Sequence, residues 1–197
     1  MAKLAGRIRL AVALMLGAAG CGSTPTMPST PSAVQEGTFS QPPAAPGLCV
    51  MGFDDLRVHG APFTGQTACG LAVTVTLGSW QASTTYGHPP PFVQFLSPAG
   101  TTMIGEITLK DAGGRFGFGS VDIYSSTTKI PYEISGFDRG ARAFTIQDLQ
   151  SNTFGNFATI VNRSAAVPID TLRIRLTNPA APCCSNPVGL DNIRVFR

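Results

Sequence analysis

Histidine is scarce in this chain of 197 residues, which holds only His59 and His88. Imidazole is the side chain that titrates most readily near neutral pH, so proton-transfer chemistry has little to draw on. Each of the two reads as a surface or loop residue. Also missing are a G-x-S-x-G elbow, an H-E-x-x-H pair and a phosphate loop. The glycine-rich "GGRFGFGS" alternates with Phe and reads as a strand, not as a nucleotide cradle. Asp122 and Glu133 could be paired as glycosidase carboxylates, but any β-rich chain offers such pairs, so a glycoside-active enzyme is the weakest reading. Clustered Lys and Arg are lacking too, which excludes a nucleic-acid footprint. The densest pair, Arg173 and Arg175 in "LRIRL", marks the wet face of a strand. No window sustains an apolar period of 3.6, so little helix is expected. No internal repeat is visible.

The N-terminus carries what is present. Lys3, Arg7 and Arg9 precede an apolar run from Leu10 to Leu16, then Gly17, Ala18, Ala19 and Gly20 lead to Cys21. The run is far shorter than the roughly 20 residues that span a bilayer. The layout is that of an export signal over residues 1–20. "AAGC" resembles a bacterial lipobox, with Ala18 where Leu is preferred. That resemblance implies cleavage before Cys21 and its lipidation. Gly22 in place of Asp implies the outer membrane in a Gram-negative cell. The formal charge of +3 comes from 14 basic and 11 acidic residues, and removing Lys3, Arg7 and Arg9 leaves 14 − 3 = 11 of each. Residues 21–46 are rich in Ser, Thr, Pro and Ala and too poor in apolar side chains to offset ordering entropy. They read as a flexible tether, long enough at roughly 3 Å per residue to hold a domain some tens of Å from a membrane.

Residues 47–197 read as one domain of strands. "LAVTVTL" alternates apolar and small or polar residues, and "FVQFL", "GEITL", "RFGFGSVDIYSS", "NFATIV" and "TLRIRL" are short β-rich runs. "IPYEISGF" and "RAFTIQDL" flank the turn "GFDRGAR" as a hairpin. Gly, Pro, Asn and Asp punctuate at short intervals. The expected fold is all-β: an antiparallel sandwich of the jelly-roll type, with the first strand near the last. Beyond Cys21, the cysteines are Cys49, Cys69, Cys183 and Cys184. An oxidising compartment makes disulfides the default, with three connectivities open. A bridge between the neighbours Cys183 and Cys184 closes a strained ring. The expectation is therefore that each reaches Cys49 or Cys69.

"GFDDL" near the start of the domain and "GLDNI" near its end both set acids beside apolar anchors. With "FGSVDIYSS", they resemble the jelly-roll domains of the galactose-binding-like superfamily. The resemblance is to the version found in carbohydrate-binding modules and in secreted bacterial proteins that carry a PEP-CTERM sorting tail. Here lipidation at Cys21 would take over the anchoring. The resemblance implies glycan binding without catalysis. It also implies a structural Ca²⁺ held by Gly52, Asp54 and Asp191, with Asp55 as a neighbouring substitute. Asn192 stands where many such modules have a second Asp, which lowers the charge. The alternative is that Asp54, Asp55, Asp191 and Asn192 hydrogen-bond turn backbone.

For a sugar, the best stretch is "WQASTTYGHPPPF", with Trp80, Tyr86 and His88 before a stiff proline run. The competing reading puts the lone Trp80 in the core. The functional expectation is an exported, lipid-anchored glycan-binding module. Its rival is an envelope scaffold or protein-interaction lipoprotein without a small ligand.

Overall fold

The computed structural model describes residues 47–86 and 90–197. The signal at 1–20, the tether at 21–46, Cys21 and His88 lie outside the described residues.

Alternation becomes burial. In β4 (Leu71–Leu77), Leu71 and Val73 are buried while Ala72 and Thr74 face solvent. In β12 (Thr171–Asn178), Leu172, Ile174 and Leu176 are buried and Arg173 is exposed. A strand sends successive side chains to opposite faces, so each such run packs one face inward. Among the described residues, thirteen strands pair antiparallel in two sheets. The first has the order β11 (Phe157–Val161), β8 (Gly117–Ser125), β13 (Asn186–Phe196), β6 (Phe92–Ser97), β5 (Trp80–Ser83), β2 (Pro62–Phe63). β1 (Leu48–Met51) also pairs with β13. The second runs β10 (Ala141–Gln150), β9 (Ile130–Asp138), β12, β7 (Met103–Lys110), β4, β3 (Gly65–Ala68). Among the described residues there is no helix. The fold is an all-β antiparallel sandwich. β9 and β10 form the hairpin expected around Arg139–Gly140.

Between the sheets lie Phe53, Phe95, Ile107, Leu109, Ile123, Ile134, Leu172, Leu190 and Ile193, all essentially sealed from water. Each such side chain contributes about 1.5–3 kcal/mol through burial. The first and last strands meet as expected: Leu48 pairs with Phe196 and Met51 with Ile193. Gly47 and Arg197 extend this pairing with reciprocal backbone hydrogen bonds of 2.7 and 3.0 Å.

The disulfide expectation is corrected. Cys49 bonds Cys69, 20 residues away, while Cys183 and Cys184 are exposed and bond no other cysteine among the described residues. Cys49 faces Val195 across the β1–β13 ladder, and Cys69 sits in the β3–β4 turn, where its carbonyl accepts from Arg197 Nη1 at 2.6 Å. The end of the chain therefore brings β1 and that turn together, which leaves the loop before β13 outside the bridge.

Arg173 and Arg175 do face outward, but they grip one acid. Glu106, buried on the outer face of β7, receives Arg175 Nε at 2.9 Å, Thr76 Oγ1 at 2.8 Å and Arg173 Nε at 3.5 Å. Asp122 lies on β8 and Glu133 on β9, in different sheets, so they are not a carboxylate pair.

Candidate carboxylate site and polar cleft

Along one side β13 changes partner, pairing with β6 from Asn186 to Leu190 and with β1 from Ile193 to Phe196. Asp191 and Asn192 occupy the change. On the other side the register with β8 shifts between Asp191 and Arg194, a bulge. Asn192 has φ 47°, a left-handed conformation that Asn tolerates better than most residues. The bulge turns Asp191 toward the end of β1. There Gly52 lets the chain leave the sheet, and a Cβ on it would lie 3.0 Å from Asp54 Oδ2 and 3.9 Å from Asp191 Oδ1.

The fold thus brings Gly52, Asp54 and Asp191 together. Asp55 follows in the same turn and is exposed. Asp122 faces Asp191 from β8 and is well held: Thr159 Oγ1 donates at 2.5 Å, Asn192 Nδ2 at 3.0 Å and Arg194 Nη1 at 3.3 Å. Asp191 is only 4% exposed, and its Oδ1 has no hydrogen-bond partner among the described residues. Burial pushes its carboxyl up to about 7, against the Asn192 amide, with the charges of Asp54 and Asp122 adding to the rise and Arg194 opposing it.

An orphaned, buried carboxylate oxygen beside a second carboxylate fits a hard cation, which takes oxygen ligands at 2.3–2.6 Å for Ca²⁺. The Gly52 carbonyl already accepts from Gln66 Nε2 at 3.2 Å. Among the described residues no group of three His, Cys, Asp or Glu is arranged to hold a metal. Any ion here would therefore lean on two carboxylates, backbone oxygens and water.

Of the three residues proposed for sugar stacking, Trp80 is corrected. It lies on β5, 3% exposed, with its ring against Phe95 at 4.9 Å and its Nε1 donating to Leu77 O at 3.0 Å. A ring sealed between the sheets offers no face to a ligand. Tyr86 is half-buried over the outer face of the first sheet, beside Phe92 and Tyr124, and its hydroxyl and the Gln94 amide bond one another at 2.8–2.9 Å.

A site the sequence reading missed lies where three turns of the second sheet converge. The β7–β8 turn, the β9–β10 turn and Asp170, just before β12, line a cleft of about 580 Å³. Its acids are placed by the chain. Asp111 accepts from the backbone of Gly113 at 3.1 Å and Gly114 at 3.0 Å, and from Arg197. Those amides, with the Arg197 charge, hold its carboxyl below the usual range against burial. Asp170 accepts from Thr171 Oγ1 at 2.8 Å and the Arg139 amide at 2.6 Å, which lowers its carboxyl also. Asp138 bonds Arg115 through Oδ2 at 2.9 Å, and its Oδ1 is buried with no hydrogen-bond partner among the described residues. Lys110 and Arg139 stand exposed on the rim. In the sequence "KDAGGR", "FDRG" and "PIDTL" look like ordinary polar turns. Only the adjacency of β7, β12 and β9 makes them one surface.

The chain matches no protein-family model and no curated protein. Among solved structures, it is similar to a family 29 carbohydrate-binding module complexed with mannohexaose, at 16% identity and TM-score 0.42, over 77% of this chain and 91% of that one. Another family 29 module, from Piromyces equi, is 11% identical at TM-score 0.41, over 76% and 89%. A family 61 module in complex with β-1,4-galactotriose is 14% identical at TM-score 0.40, over 66% and 89%.

Proposed function

We propose that this protein is an exported, lipid-anchored, non-catalytic module that binds carbohydrate at the bacterial cell surface. The observation that carries the reading is the cleft at Lys110, Arg115, Asp138, Arg139 and Asp170. Its acids are held by the turn backbone and by Arg115, which leaves the exposed Lys110 and Arg139 donors beside the Asp138 and Asp170 carboxylates that line the same space. A hydroxyl is both donor and acceptor, so a polyhydroxylated ligand satisfies that combination. Ca²⁺ at Gly52, Asp54 and Asp191 would be structural, tying β1 to β13 on a part of the fold separate from the cleft. Anchoring rests on Cys21 and the lipobox-like residues before it, with the outer membrane as destination in a Gram-negative cell.

A polysaccharide pull-down and glycan array on the full chain test the reading. Binding is expected, and Asp138→Ala and Arg139→Ala should each weaken it about tenfold or more. A blank array overturns the module; full binding by both variants overturns the cleft. Cys21→Ser should release the protein from membranes, and continued retention contradicts the anchor.

A second reading, an interaction scaffold without a small ligand, is favoured by one observation. Leu149 on β10, Phe154 in the loop between β10 and β11, and Val161 on β11 are 50%, 80% and 62% exposed. β10 and β11 end their respective sheets, so these apolar groups lie along sheet margins.

A further inference from the structure

The two sheets end side by side at β10 and β11, which share a groove of about 390 Å³ lined by residues 145–147 and 161–164. Among the described residues neither strand has a neighbour beyond it. A bare edge offers unpaired amides and carbonyls to another chain. β10 is guarded by the charges of Arg142 and Asp148 and by the bulge between Arg142 and Phe144. β2 and β3, at the opposite margins, have only 2 and 4 residues. β11 lacks such protection: "FATIV" holds no charge, proline or glycine and pairs with β8 without a shift. Its outward groups follow from the ladder. Asn162 donates its amide to Gly119 O at 2.8 Å, one rung past the pair Val161 and Ser120. Opposed residues of an antiparallel ladder alternate between pairs that exchange hydrogen bonds and pairs that do not. Ile160 and Ala158 therefore bond β8, and the amides and carbonyls of Phe157, Thr159 and Val161 point away from it.

We propose that a second copy of this chain docks on this edge, β11 against β11, about a two-fold axis at Thr159. The register is self-complementary. Thr159 meets its own counterpart and Phe157 meets Val161 on either side, so the outward groups of all three residues exchange hydrogen bonds with none left over. The Thr159 side chain stays on Asp122. Phe157 already packs on Phe92 and Tyr124, and the exposed Val161 of the second copy would cover it. Phe154, the most exposed of the described large apolar residues, precedes β11 by three positions. It would therefore pass the second copy's Val161 and reach the groove at residues 161–164. No like charges oppose one another, since Arg163 would face Gly155. The area sets the strength. Two Phe154 rings and two Val161 side chains bury on the order of 500 Å². The strand contact brings this toward the low end of specific interfaces, about 1,200 Å². The dimer is weak and reversible. It deepens the scaffold reading by naming the partner, and it does not depend on the glycan cleft.

The full chain carrying Cys21→Ser, Cys183→Ser and Cys184→Ser tests this, because those changes remove association through lipid or stray thiols. Sedimentation should show a reversible monomer–dimer equilibrium across about 1–300 μM. Val161→Lys places a charge on the edge and should raise the dissociation constant about tenfold or more, with melting unchanged. Leu149→Lys, on β10, should leave the constant as it was. Thr159→Cys should cross-link to a covalent dimer under mild oxidation, since the Cα atoms of a hydrogen-bonded pair lie about 5.5 Å apart. Val161→Cys should not, because it faces Phe157 and not itself. Should Thr159→Cys fail to fold, the Val161→Lys comparison decides alone. A parent chain that stays monomeric throughout, open-ended oligomers, or equal dimerisation by Val161→Lys would each overturn the proposal. So would loss of the dimer in Leu149→Lys. A blank glycan array leaves the dimer standing, and a monomer leaves the glycan cleft standing.

Discussion

Asp191 is the residue on which the two ends of the fold depend. Its carboxylate is buried, its Oδ1 lacks a partner among the described residues and Asp54 adds like charge. An unpartnered polar atom costs on the order of 1–3 kcal/mol, and a charged one more. Asp191→Asn removes that charge in place. At pH 8 with chelator, the variant should be more stable than wild type by about 1–2 kcal/mol in urea unfolding. With millimolar Ca²⁺ the order should reverse, because an ion that binds only the native state stabilises it and the variant has lost a ligand. A calcium shift of equal size in both proteins would remove Asp191 from any cation site. "GLDNI" was legible as chemistry because acids beside apolar anchors are unusual in a strand. Its role as the point where β13 exchanges β6 for β1 was not, since the change of neighbour is a property of the sheet.

Strands carry the next scale. Period-two alternation identified β4, short β-rich runs identified β6, β7, β8, β11 and β12, and a Gly-containing turn identified the β9–β10 hairpin. Short elements were harder. "WQAS" read as the start of a ligand loop because its lone Trp precedes Tyr86, His88 and a proline run, yet it is β5, with Trp80 turned into the core as the competing reading had it. What admits that indole is Gly105 on β7: a Cβ there would lie 2.6 Å from the Phe95 ring and 2.7 Å from Trp80. Gly105→Ala should cost about 1–3 kcal/mol by overpacking. Gly113→Ala, where a Cβ meets nothing within 4 Å, should cost almost nothing. Equal melting of the two variants would refute the packing argument. The disulfide belongs to the same scale, because its pairing follows from the β1–β13 register that no cysteine spacing reveals. Closing a loop of 20 residues is worth about 3 kcal/mol in the chain-entropy picture. Cys49→Ser should lower unfolding stability by about that amount, while Cys183→Ser should leave it unchanged.

Over the whole molecule, acids at separate places shape one stability curve with opposite signs. The Asp191 carboxyl sits at about 7 against an ordinary 3.8. The unfolded chain gives up this proton near pH 4 and the native one keeps it to about pH 7, so across that window the native state binds more protons and stability falls as pH rises. Asp111 and Asp170 run the other way. Their native carboxyls are held low, Asp111 by the Gly113 and Gly114 amides and Asp170 by Thr171 and the Arg139 amide. Their contribution is complete above the ordinary carboxylate value and is lost as pH drops below about 4. In chelator, chemical denaturation should therefore show greatest stability near pH 4–5, with a decline toward pH 8 that Asp191→Asn abolishes. Calcium competes with the proton for the ionised carboxylate, so it should raise the neutral and alkaline side of the curve and leave the acid side where it was. Wild-type stability that stays level from pH 5 to 8 without calcium would show that Asp191 is neutralised by some other contact, and the cation site would lose its physical basis.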